Sequence, residues 1–412
     1  MKCRIRKWMG RRMKVSKRIV VAGASLSGVR AIEALRREGY GGEIVALSAE
    51  KDMPYDRPPL SKQFLTGKFE ENQISLRRNG FDDLEVDWRL GVRAQALDPA
   101  KRVVSLSDGG SVEYGGLLIA TGSSARSLPF GGDLAGVHLL RSLEDARALK
   151  LDLAKARRLV VIGAGFIGME VAASARSLGL EVAVVESLST PLLRGLGQPL
   201  GEVIGRRFED HGVLLHCGVG VEALVGEGHV SGVALSDGRQ LEADAVVVGI
   251  GASPACDWLA DSGLELSQGV RCDATGATNL PDVAAAGDVA CWFDPRQGKP
   301  VRHEHWTSAV EQAEVAARRL LVGTGPVEDL EAIAYVWSDL FEMRLAMVGE
   351  PAMGDEMKIV EGEADGERFL ALMGHEGRLV GAVGMKRPRQ VNACRKLLGQ
   401  GVSLAEAIRE FS

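Results

Sequence analysis

The stretch from Arg158 to Glu186 constrains the fold of this 412-residue chain more than any other. An apolar run typical of a buried strand leads into GAGFIG, and an alanine-rich helical pattern and a second apolar strand follow it. In such a unit Gly163 allows the tight turn, Gly165 lets the backbone approach a pyrophosphate, and Gly168 lets the helix pack on the strand. We therefore predict a Rossmann unit whose helix N-terminus holds the pyrophosphate of a dinucleotide.

Glu186 ends the second strand of this unit, 23 residues after Gly163. An acidic side chain in this place accepts hydrogen bonds from the adenosine ribose hydroxyls and repels a 2′-phosphate. The sequence therefore favours NADH over NADPH as the ligand of this unit.

A second copy of the unit lies earlier in the chain. Residues 18–23 match residues 158–163 at an offset of 140, and Gly28 matches Gly168 at the same offset. This copy reads GASLSG, in which Ser25 replaces the middle glycine with the smallest side chain that still allows close backbone approach. Two units in one chain predict two dinucleotides, usually FAD in the first and a nicotinamide nucleotide in the second.

The composition is that of an ordinary globular protein, with 46% apolar and 25% charged residues. A chain of this length is expected to form two to three domains. No apolar run reaches the roughly 18 residues that a membrane span needs. The six cysteines are scattered without a CxxC or a metal-ligand spacing, which indicates reduced thiols in a cytoplasmic protein and no metal site.

The N-terminal segment is strongly basic. Nine of the 50 Lys and Arg residues lie in the first 20 positions, which contain no acidic residue. Such an arm is compatible with nucleic acid or an anionic membrane surface as a partner. We instead interpret residues 1–16 as an extension that is expected to be disordered, with Met13 as an alternative start, and we expect neither nucleic acid nor a membrane as a partner.

A proline-rich loop follows the first unit. Pro54, Pro58 and Pro59 are incompatible with a regular helix or a central strand, so we predict a rigid loop that ends in Leu60-Ser61-Lys62 as a helix begins. The string PYDRPPLSK in this position, together with the two Rossmann units, resembles the FAD- and NADH-dependent ferredoxin reductases of bacterial oxygenase systems. Those of the putidaredoxin, rhodocoxin and biphenyl-dioxygenase type belong to the pyridine nucleotide-disulfide oxidoreductase superfamily. The resemblance extends from Lys17 to the C-terminus.

The resemblance implies an α/β fold with two Rossmann-like dinucleotide-binding domains of the glutathione-reductase type and a C-terminal α+β domain. The first domain would bind FAD and comprise residues 17–122 and 249–321. The NAD-binding domain would comprise residues 123–248, and residues 322–412 would form a C-terminal interface domain of alternating strands and a closing helix.

The same resemblance implies the catalytic residues. Lys62 would lie beside the flavin near N5 and pair with Glu170, and a cation there stabilises reduced flavin. Trp337, in the segment Trp337-Ser338-Asp339, would lie over the nicotinamide side of the flavin as a wall and an electron exit. A solvated lysine at a helix start and a tryptophan of the core are the structural alternatives for Lys62 and Trp337.

The remaining cofactor residues also follow from the resemblance. For FAD they are Gly23, Ser25, Ser27, Gly28, Glu50 (the candidate ribose acid of the first unit), Arg57, Lys62, Ala94, Ala120, Thr121, Gly122, Arg141, Gly287, Asp288 and Trp306. For NAD they are Gly163, Gly165, Ile167, Gly168, Glu170, Glu186, Gly249 and Gly251. Arg141 pairing with Glu144 or Asp145, and Asp288 as a buried carboxylate that caps a helix, remain the alternatives for those two residues.

His303 and His305 have the spacing of one face of a strand. Since no third ligand lies nearby in the sequence, we interpret them as flavin-site or surface histidines rather than as a metal site.

Residues 18–216 contain no cysteine, which excludes the dithiol of disulfide reductases with this fold. Electrons must therefore leave the flavin for an outside acceptor. We predict an NADH-dependent ferredoxin reductase that accepts a hydride on FAD and passes single electrons to a [2Fe–2S] ferredoxin supplying a P450 or ring-hydroxylating oxygenase. A rubredoxin reductase or general NADH:acceptor oxidoreductase is the first alternative, and a flavin-binding relative of apoptosis-inducing factor is the second.

A basic cluster near the C-terminus is the candidate docking patch for the ferredoxin. It has five basic residues and no acid in eleven positions: Lys386, Arg387, Arg389, Arg395 and Lys396. Ferredoxins are usually acidic, so this patch would steer them electrostatically, although a solvated helix start explains it equally well. We expect a monomer or a homodimer.

Overall fold

The computed structural model describes residues 18–411. The prediction of a disordered extension over residues 1–16 lies outside this part of the chain. The chain divides into two compact units. The first consists of the described chain up to Tyr55, Leu76–Ser123 and Pro254–Ala332, and the second of Asp56–Ser75, Ser124–Ser253 and the described chain from Ile333 onward.

The helices and strands follow one another in chain order. Up to Ala125 they are β1 (Arg18–Ala22), α1 (Leu26–Arg37), β2 (Glu43–Leu47), β3 (Val86–Arg89), β4 (Ala94–Asp98), β5 (Val103–Leu106), β6 (Ser111–Glu113), β7 (Gly116–Ile119) and β8 (Ser123–Ala125). From there to Pro254 they are β9 (Val137–His138), α2 (Leu143–Leu153), β10 (Arg158–Ile162), α3 (Phe166–Ser177), β11 (Glu181–Glu186), α4 (Leu193–Leu196), α5 (Gln198–Asp210), β12 (Val213–Cys217), β13 (Val221–Glu227), β14 (His229–Leu235), β15 (Gln240–Glu242), β16 (Ala245–Val248) and β17 (Ala252–Pro254). The rest are β18 (Val270–Cys272), β19 (Val283–Ala285), β20 (Ala290–Asp294), β21 (Lys299–Val301), α6 (Trp306–Val322), β22 (Tyr335–Leu340), β23 (Met343–Gly349), β24 (Glu356–Gly362), β25 (Phe369–His375), β26 (Arg378–Met385), α7 (Pro388–Gln400) and α8 (Leu404–Glu410).

The first unit is built on a parallel sheet of order β19-β7-β1-β2-β3. Its central strands are buried apolar runs, as expected where layers cover both faces of a parallel sheet. Helices α1 and α6 pack against each other in this unit. An antiparallel sheet of β4, β5 and β6 and a small sheet of β18, β20 and β21 complete it.

The second unit repeats this plan. Its parallel sheet has the order β12-β11-β10-β16-β9, and β10 pairs with β11 as β1 pairs with β2. The duplication that the 140-residue offset predicts is therefore present in the fold. The turn at Asp237-Gly238 joins β14 to β15 in an antiparallel sheet with β13.

The C-terminal part of the second unit is an antiparallel sheet of order β22-β23-β26-β25-β24 that is followed by two helices. Helix α7 begins with Pro388 and ends at Gln400, followed by Gly401 in the left-handed conformation. Ser403 and Glu406 form a capping box for α8. The sequence predicted a single closing helix, whereas the structure has two, because the chain leaves the helical conformation at Gly401 between α7 and α8.

The prediction that a helix begins at Leu60 to Lys62 is wrong. Positions 58–67 form a succession of turns. The N–H groups of Leu60 and Lys62 donate to carbonyls three residues earlier, and that of Phe64 donates to the carbonyl five residues earlier. The N–H of Thr66 donates to the carbonyl four residues earlier, but that of Gly67 again donates to the carbonyl three residues earlier, so the regular four-residue spacing of an α-helix is not maintained.

Among residues 18–411, no helix combines the length and the apolar character needed to cross a bilayer.

Candidate functional site

Two glycines of the second unit stand where the backbone leaves no room for a side chain. Gly163 follows β10 with φ +101°, and a Cβ on it would lie 2.4 Å from the carbonyl oxygen of Gly249. A Cβ on Gly168 would lie 2.1 Å from the carbonyl oxygen of Gly163. The positive φ of Gly163 is the tight turn, and the 2.1 Å distance at Gly168 is the close packing of helix on strand, that the sequence pattern predicts for the first and third glycines.

Gly165 differs from its neighbours because it borders open space. It is the N-cap of the 12-residue helix α3, has extended backbone dihedrals, and no heavy atom lies within 4 Å of the Cβ it lacks. The N-terminus of a helix offers N–H groups and a positive dipole end to an anion. A side chain at Gly165 would occupy the space in front of these donors, so the turn fits a dinucleotide pyrophosphate.

Glu186 lies beside the same turn, at the end of β11. Its Oε2 accepts a hydrogen bond from the N–H of Ala164 (2.8 Å), and its Oε1 accepts one from the N–H of Leu188 (2.9 Å). The backbone thus orients a carboxylate next to the glycine turn. That position suits a ribose diol and opposes a phosphate by charge repulsion.

The other NAD candidates lie around α3. Gly249 follows β16 and donates its N–H to the carbonyl of Ile162 (2.7 Å). Gly251 has φ +104° and borders open space, and Ile167 on the first turn of α3 is 45% exposed.

We predict that Glu186→Ala narrows the ratio of kcat/KM for NADH to kcat/KM for NADPH by about tenfold or more. The physical reason is that removing a like charge near the 2′ position relieves a repulsion of more than about 1.4 kcal/mol. Steady-state kinetics with both nucleotides measures the ratio, and Glu181→Ala is the control because Glu181 is an exposed acid at the opposite end of β11. An unchanged ratio in Glu186→Ala would refute the assignment of Glu186.

The glycine turn of the first unit has the same construction. Gly23 has φ +113° and its missing Cβ would lie 2.1 Å from the carbonyl oxygen of Ala120. A Cβ on Gly28 would lie 2.0 Å from the carbonyl oxygen of Gly23. Ser25 is the N-cap of α1 in extended conformation and makes no side-chain cap hydrogen bond.

The carboxyl edge of the first unit's parallel sheet gathers most of the FAD candidates. β7 leads into Ala120, Thr121 and Gly122, and β19 leads into Gly287 and Asp288. Ligands of open α/β sheets bind outside this edge, at the point where the strand order reverses. The residues present therefore fit a dinucleotide at this edge as well.

Hydrogen bonds hold several of these residues in place. The Ser123 hydroxyl donates to the Asp288 carboxylate (3.0 Å), and the Thr121 hydroxyl donates to the carbonyl of Ala255 (2.7 Å). The hydroxyl of Ser27 donates to the carbonyl of Ala309 on α6 (3.2 Å).

Glu50 and Ala94 are two further FAD candidates in the first unit. Glu50 follows β2 and accepts a hydrogen bond from the hydroxyl of Tyr55. Ala94 is buried at the start of β4.

Trp306 is the first residue of α6, and the two histidines precede it. His303 and His305 lie after β21 has ended at Val301, so the expectation that they share one face of a strand is wrong. Their rings are 5.8 Å apart, and burial, together with the charge of His303, lowers the pKa of His305 to about 4. Within residues 18–411, no three His, Cys, Asp or Glu side chains gather to hold a metal ion.

Lys62 and Glu170 form a buried ion pair inside the second unit. The Lys62 ammonium lies 2.8 Å from Oε1 of Glu170, and the two side chains are only 9% and 7% exposed. Lys62 is carried by the turns that follow the proline-rich loop, and Glu170 by the first half of α3. The interpretation of Lys62 as a solvated lysine is therefore wrong.

Three serines complete the cluster around this pair. The hydroxyls of Ser61 and Ser338 both donate to the Glu170 carboxylate, the latter over 2.7 Å. The hydroxyl of Ser174, one turn after Glu170 on α3, donates to the carbonyl of Ser61 (2.7 Å). Sequence analysis assigned no role to these serines. A signal was available for Ser174, because Glu170 and Ser174 are four residues apart and are the only polar side chains between Phe166 and Ala175 of α3.

Arg57 and Arg141 belong to the second unit, as does Lys62, although sequence analysis assigned them to FAD. The Arg57 guanidinium donates to the carbonyl of Arg141. The backbone N–H of Arg141 donates to the Asp145 carboxylate (2.9 Å) at the capping box of α2.

Comparison with known proteins identifies the family. Residues 17–313 match the model of the pyridine nucleotide-disulphide oxidoreductase family. The chain belongs to this family. Residues 335–409 match the reductase C-terminal domain, which corresponds to the sheet of β22 to β26 and its two helices.

The relatives of the chain match it over nearly its whole length. It is 36% identical over 389 residues to the ferredoxin–NAD(+) reductase component of the biphenyl dioxygenase system of Paraburkholderia xenovorans (strain LB400), covering 94% of each protein. Its fold is similar to the ferredoxin reductase for the CYP199A2 system from Rhodopseudomonas palustris, with a TM-score of 0.90, 33% identity and coverage of 95% of this chain and 97% of that one. The covalent putidaredoxin reductase–putidaredoxin complex matches with a TM-score of 0.90, 29% identity and coverage of 96% and 98%.

These matches confirm the resemblance stated from the sequence and the α/β fold class with its C-terminal reductase domain. They also confirm that the protein is an oxidoreductase that uses FAD and NAD. The domain boundaries and the roles of individual residues stay predictions.

Proposed function

We propose that the protein is an NADH:ferredoxin reductase that takes a hydride from NADH and passes electrons singly to a [2Fe–2S] ferredoxin, which supplies a P450 or ring-hydroxylating oxygenase. The observation that carries this proposal is the end-to-end match to a ferredoxin reductase component, with 94% of both chains aligned. The two glycine turns, each with open space or a serine at its second position, support two bound dinucleotides.

FAD, when bound, supplies the redox chemistry, because it accepts two electrons and releases them one at a time. The protein's own residues bind and orient. Gly163, Gly165 and Gly168 form the phosphate turn for NADH, and Glu186 selects it over NADPH. The carboxyl edge of the first unit's parallel sheet, with Asp288, holds FAD.

Lys62 and Glu170 place a fixed ammonium and carboxylate at the reaction centre in this proposal. The Lys62 ammonium stabilises negative charge on reduced flavin. Trp337, on β22 and two positions from Tyr335, forms a wall of that centre, and the rings of these two residues are 6.3 Å apart. No side chain acts as a nucleophile or a general base.

The thiols of the described chain support an external electron acceptor. Cys217, Cys256, Cys272, Cys291 and Cys394 are all free thiols, so no disulfide joins two of them. Burial raises the pKa of each, to about 12 for Cys394, which disfavours the reactive thiolate.

Reduction of cytochrome c by NADH and the FAD-loaded protein, with and without an added [2Fe–2S] ferredoxin, tests the proposal. We expect a large ferredoxin-dependent rate. A rate that rises only when rubredoxin replaces the ferredoxin would identify a rubredoxin reductase. Rapid flavin reduction without an effect of either carrier would leave a general NADH:acceptor oxidoreductase.

For docking, we propose the C-terminal basic patch of Lys386, Arg387, Arg389, Arg395 and Lys396. At least two of its five charges have acidic partners, because Lys386 lies 3.8 Å from Glu367 and Arg387 lies 2.8 Å from Glu361. The Arg395 guanidinium donates to the carbonyl of Ile333 (3.2 Å). Arg389 and Lys396 are exposed on α7, so these two residues dominate the surface that an acidic ferredoxin would meet.

We predict that the double variant Arg389→Glu/Lys396→Glu raises KM for the ferredoxin by about tenfold at low ionic strength, since charge reversal opposes steered encounter. The effect should shrink as salt screens the charges. Flavin reduction by NADH should not change. Lys155→Glu/Arg157→Glu, which reverses two exposed charges elsewhere in the second unit, is the matched control. An equal rise of KM for the ferredoxin in both double variants would contradict the assignment of the basic patch as the docking surface.

A further inference from the structure

Ser338 is a fully buried serine on β22, an edge strand of the C-terminal sheet. Its hydroxyl donates to Oε1 of Glu170 over 2.7 Å. Side chains alternate along a strand, so Ser338 points to the opposite face from its neighbours Trp337 and Asp339. A buried hydroxyl needs a partner, and here the partner is a carboxylate of another element.

The Glu170 carboxylate is held by three side-chain donors from two segments of the chain. Oε1 accepts from the Lys62 ammonium (2.8 Å) and from Ser338, and Oε2 accepts from Ser61. Ser61 and Lys62 belong to the turns of positions 58–67, and Ser338 belongs to the C-terminal sheet. Hydrogen bonds to an ionised acceptor are stronger and better oriented than neutral ones, so the three donors fix the rotamer of Glu170.

We propose that Ser338 is a positioning residue that fixes the Glu170 carboxylate and, through it, the Lys62 ammonium. This inference rests on the placement of Lys62 at the flavin in the proposed function. Without Ser338, Oε1 has Lys62 as its remaining side-chain donor. The carboxylate then turns toward Lys62 and neutralises more of the positive charge that stabilises reduced FAD.

The test uses the full-length, FAD-loaded protein with Ser338→Ala. The equilibrium between oxidised and reduced bound FAD, measured by dithionite titration against a reference dye, should shift about tenfold toward the oxidised form, the size expected for one hydrogen bond to a charged group. The rate constant of flavin reduction by NADH should fall about tenfold, with the half-saturating NADH concentration unchanged. Ser338→Cys has a side chain of similar shape with a weaker donor, so both quantities should lie between those of the unaltered protein and of Ser338→Ala. It serves as the test if the alanine variant does not fold.

Two controls separate positioning from a general loss of stability. Ser262→Ala removes another buried hydroxyl, in the first unit, and should leave both quantities unchanged. In a Glu170→Gln background, Ser338→Ala should cause little further change, since its effect passes through the carboxylate.

An unchanged flavin equilibrium in folded Ser338→Ala would overturn the inference, as would additive effects of Ser338→Ala and Glu170→Gln. No ferredoxin enters these measurements, so failure of the proposed electron acceptor does not affect them. If NADH does not reduce the flavin of the unaltered protein, the proposed function fails, while the dithionite titration still decides the role of Ser338.

Discussion

Glu170→Ala is expected to lower the free energy of unfolding by about 3–5 kcal/mol, because it leaves the Lys62 ammonium buried without its counter-ion. The serine hydroxyls that surround the pair cannot replace the lost charge. Urea unfolding of the FAD-loaded protein measures the change, and flavin reduction by NADH should slow in the same variant.

Two further variants show whether this loss belongs to a buried charge. Lys62→Met/Glu170→Leu removes both charges and should recover most of the stability, since two apolar side chains replace an ion pair at little cost, but it should not recover the rate. Asp98→Ala breaks an ion pair with Lys101, whose side chain is 79% exposed, and should lower the stability far less than Glu170→Ala because solvent screens an exposed pair. If Glu170→Ala lowers the free energy of unfolding no more than Asp98→Ala does, the interpretation of Lys62 and Glu170 as a buried ion pair is contradicted.

Gly165→Val is expected to raise the Kd for NADH by about 100-fold, which corresponds to the loss of two charge-assisted hydrogen bonds between the turn and a pyrophosphate. A Cβ at this position meets no heavy atom within 4 Å, so the side chain would enter the open space in front of α3. The melting temperature and the FAD content should therefore remain those of the unaltered protein. A fluorescence titration with NADH measures the Kd, thermal unfolding the melting temperature, and the flavin absorbance of the purified protein the FAD content.

The neighbouring glycine is the matched comparison. Gly168→Val should destabilise the second unit, because its Cβ would meet the Gly163 carbonyl at 2.1 Å. In the first unit, Ser25→Val should lower FAD content and leave NADH binding intact. Equal losses of stability in Gly165→Val and Gly168→Val would show that the space before α3 is not a phosphate site.

Local periodicity and glycine spacing were sufficient to predict the two Rossmann units. The tight turn, the close helix packing and the acid at the end of β11 depend on residues within 23 positions of one another, so the sequence displays them directly. The turns of positions 58–67 were predicted less well. The two prolines excluded a strand correctly, but the pattern after them did not reveal that no α-helix follows.

The hydrogen-bond partners of Glu170 could not be predicted from sequence patterns. The pairing of Glu170 with Lys62 was predicted from the family resemblance alone, because no periodicity links two residues that are 108 positions apart. Ser338 is 168 positions from Glu170, and a serine in a strand is usually a surface residue, so only the fold brings its hydroxyl to the carboxylate. The partners of Lys386 and Arg387 were invisible for the same reason, and the basic patch therefore carries less free charge than its composition suggests.

The segment Asp56–Ser75 belongs to the unit of the second Rossmann sheet, although the first Rossmann sheet's segments flank it in the chain. This has a consequence for protein engineering. A chimera that exchanges coenzyme preference by grafting Ser124–Ser253 alone would take Glu170 from a donor and leave Lys62 and Ser338 from the host. The graft that keeps the charge pair and its hydroxyl partner together is discontinuous and comprises Asp56–Ser75, Ser124–Ser253 and the chain from Ile333 onward.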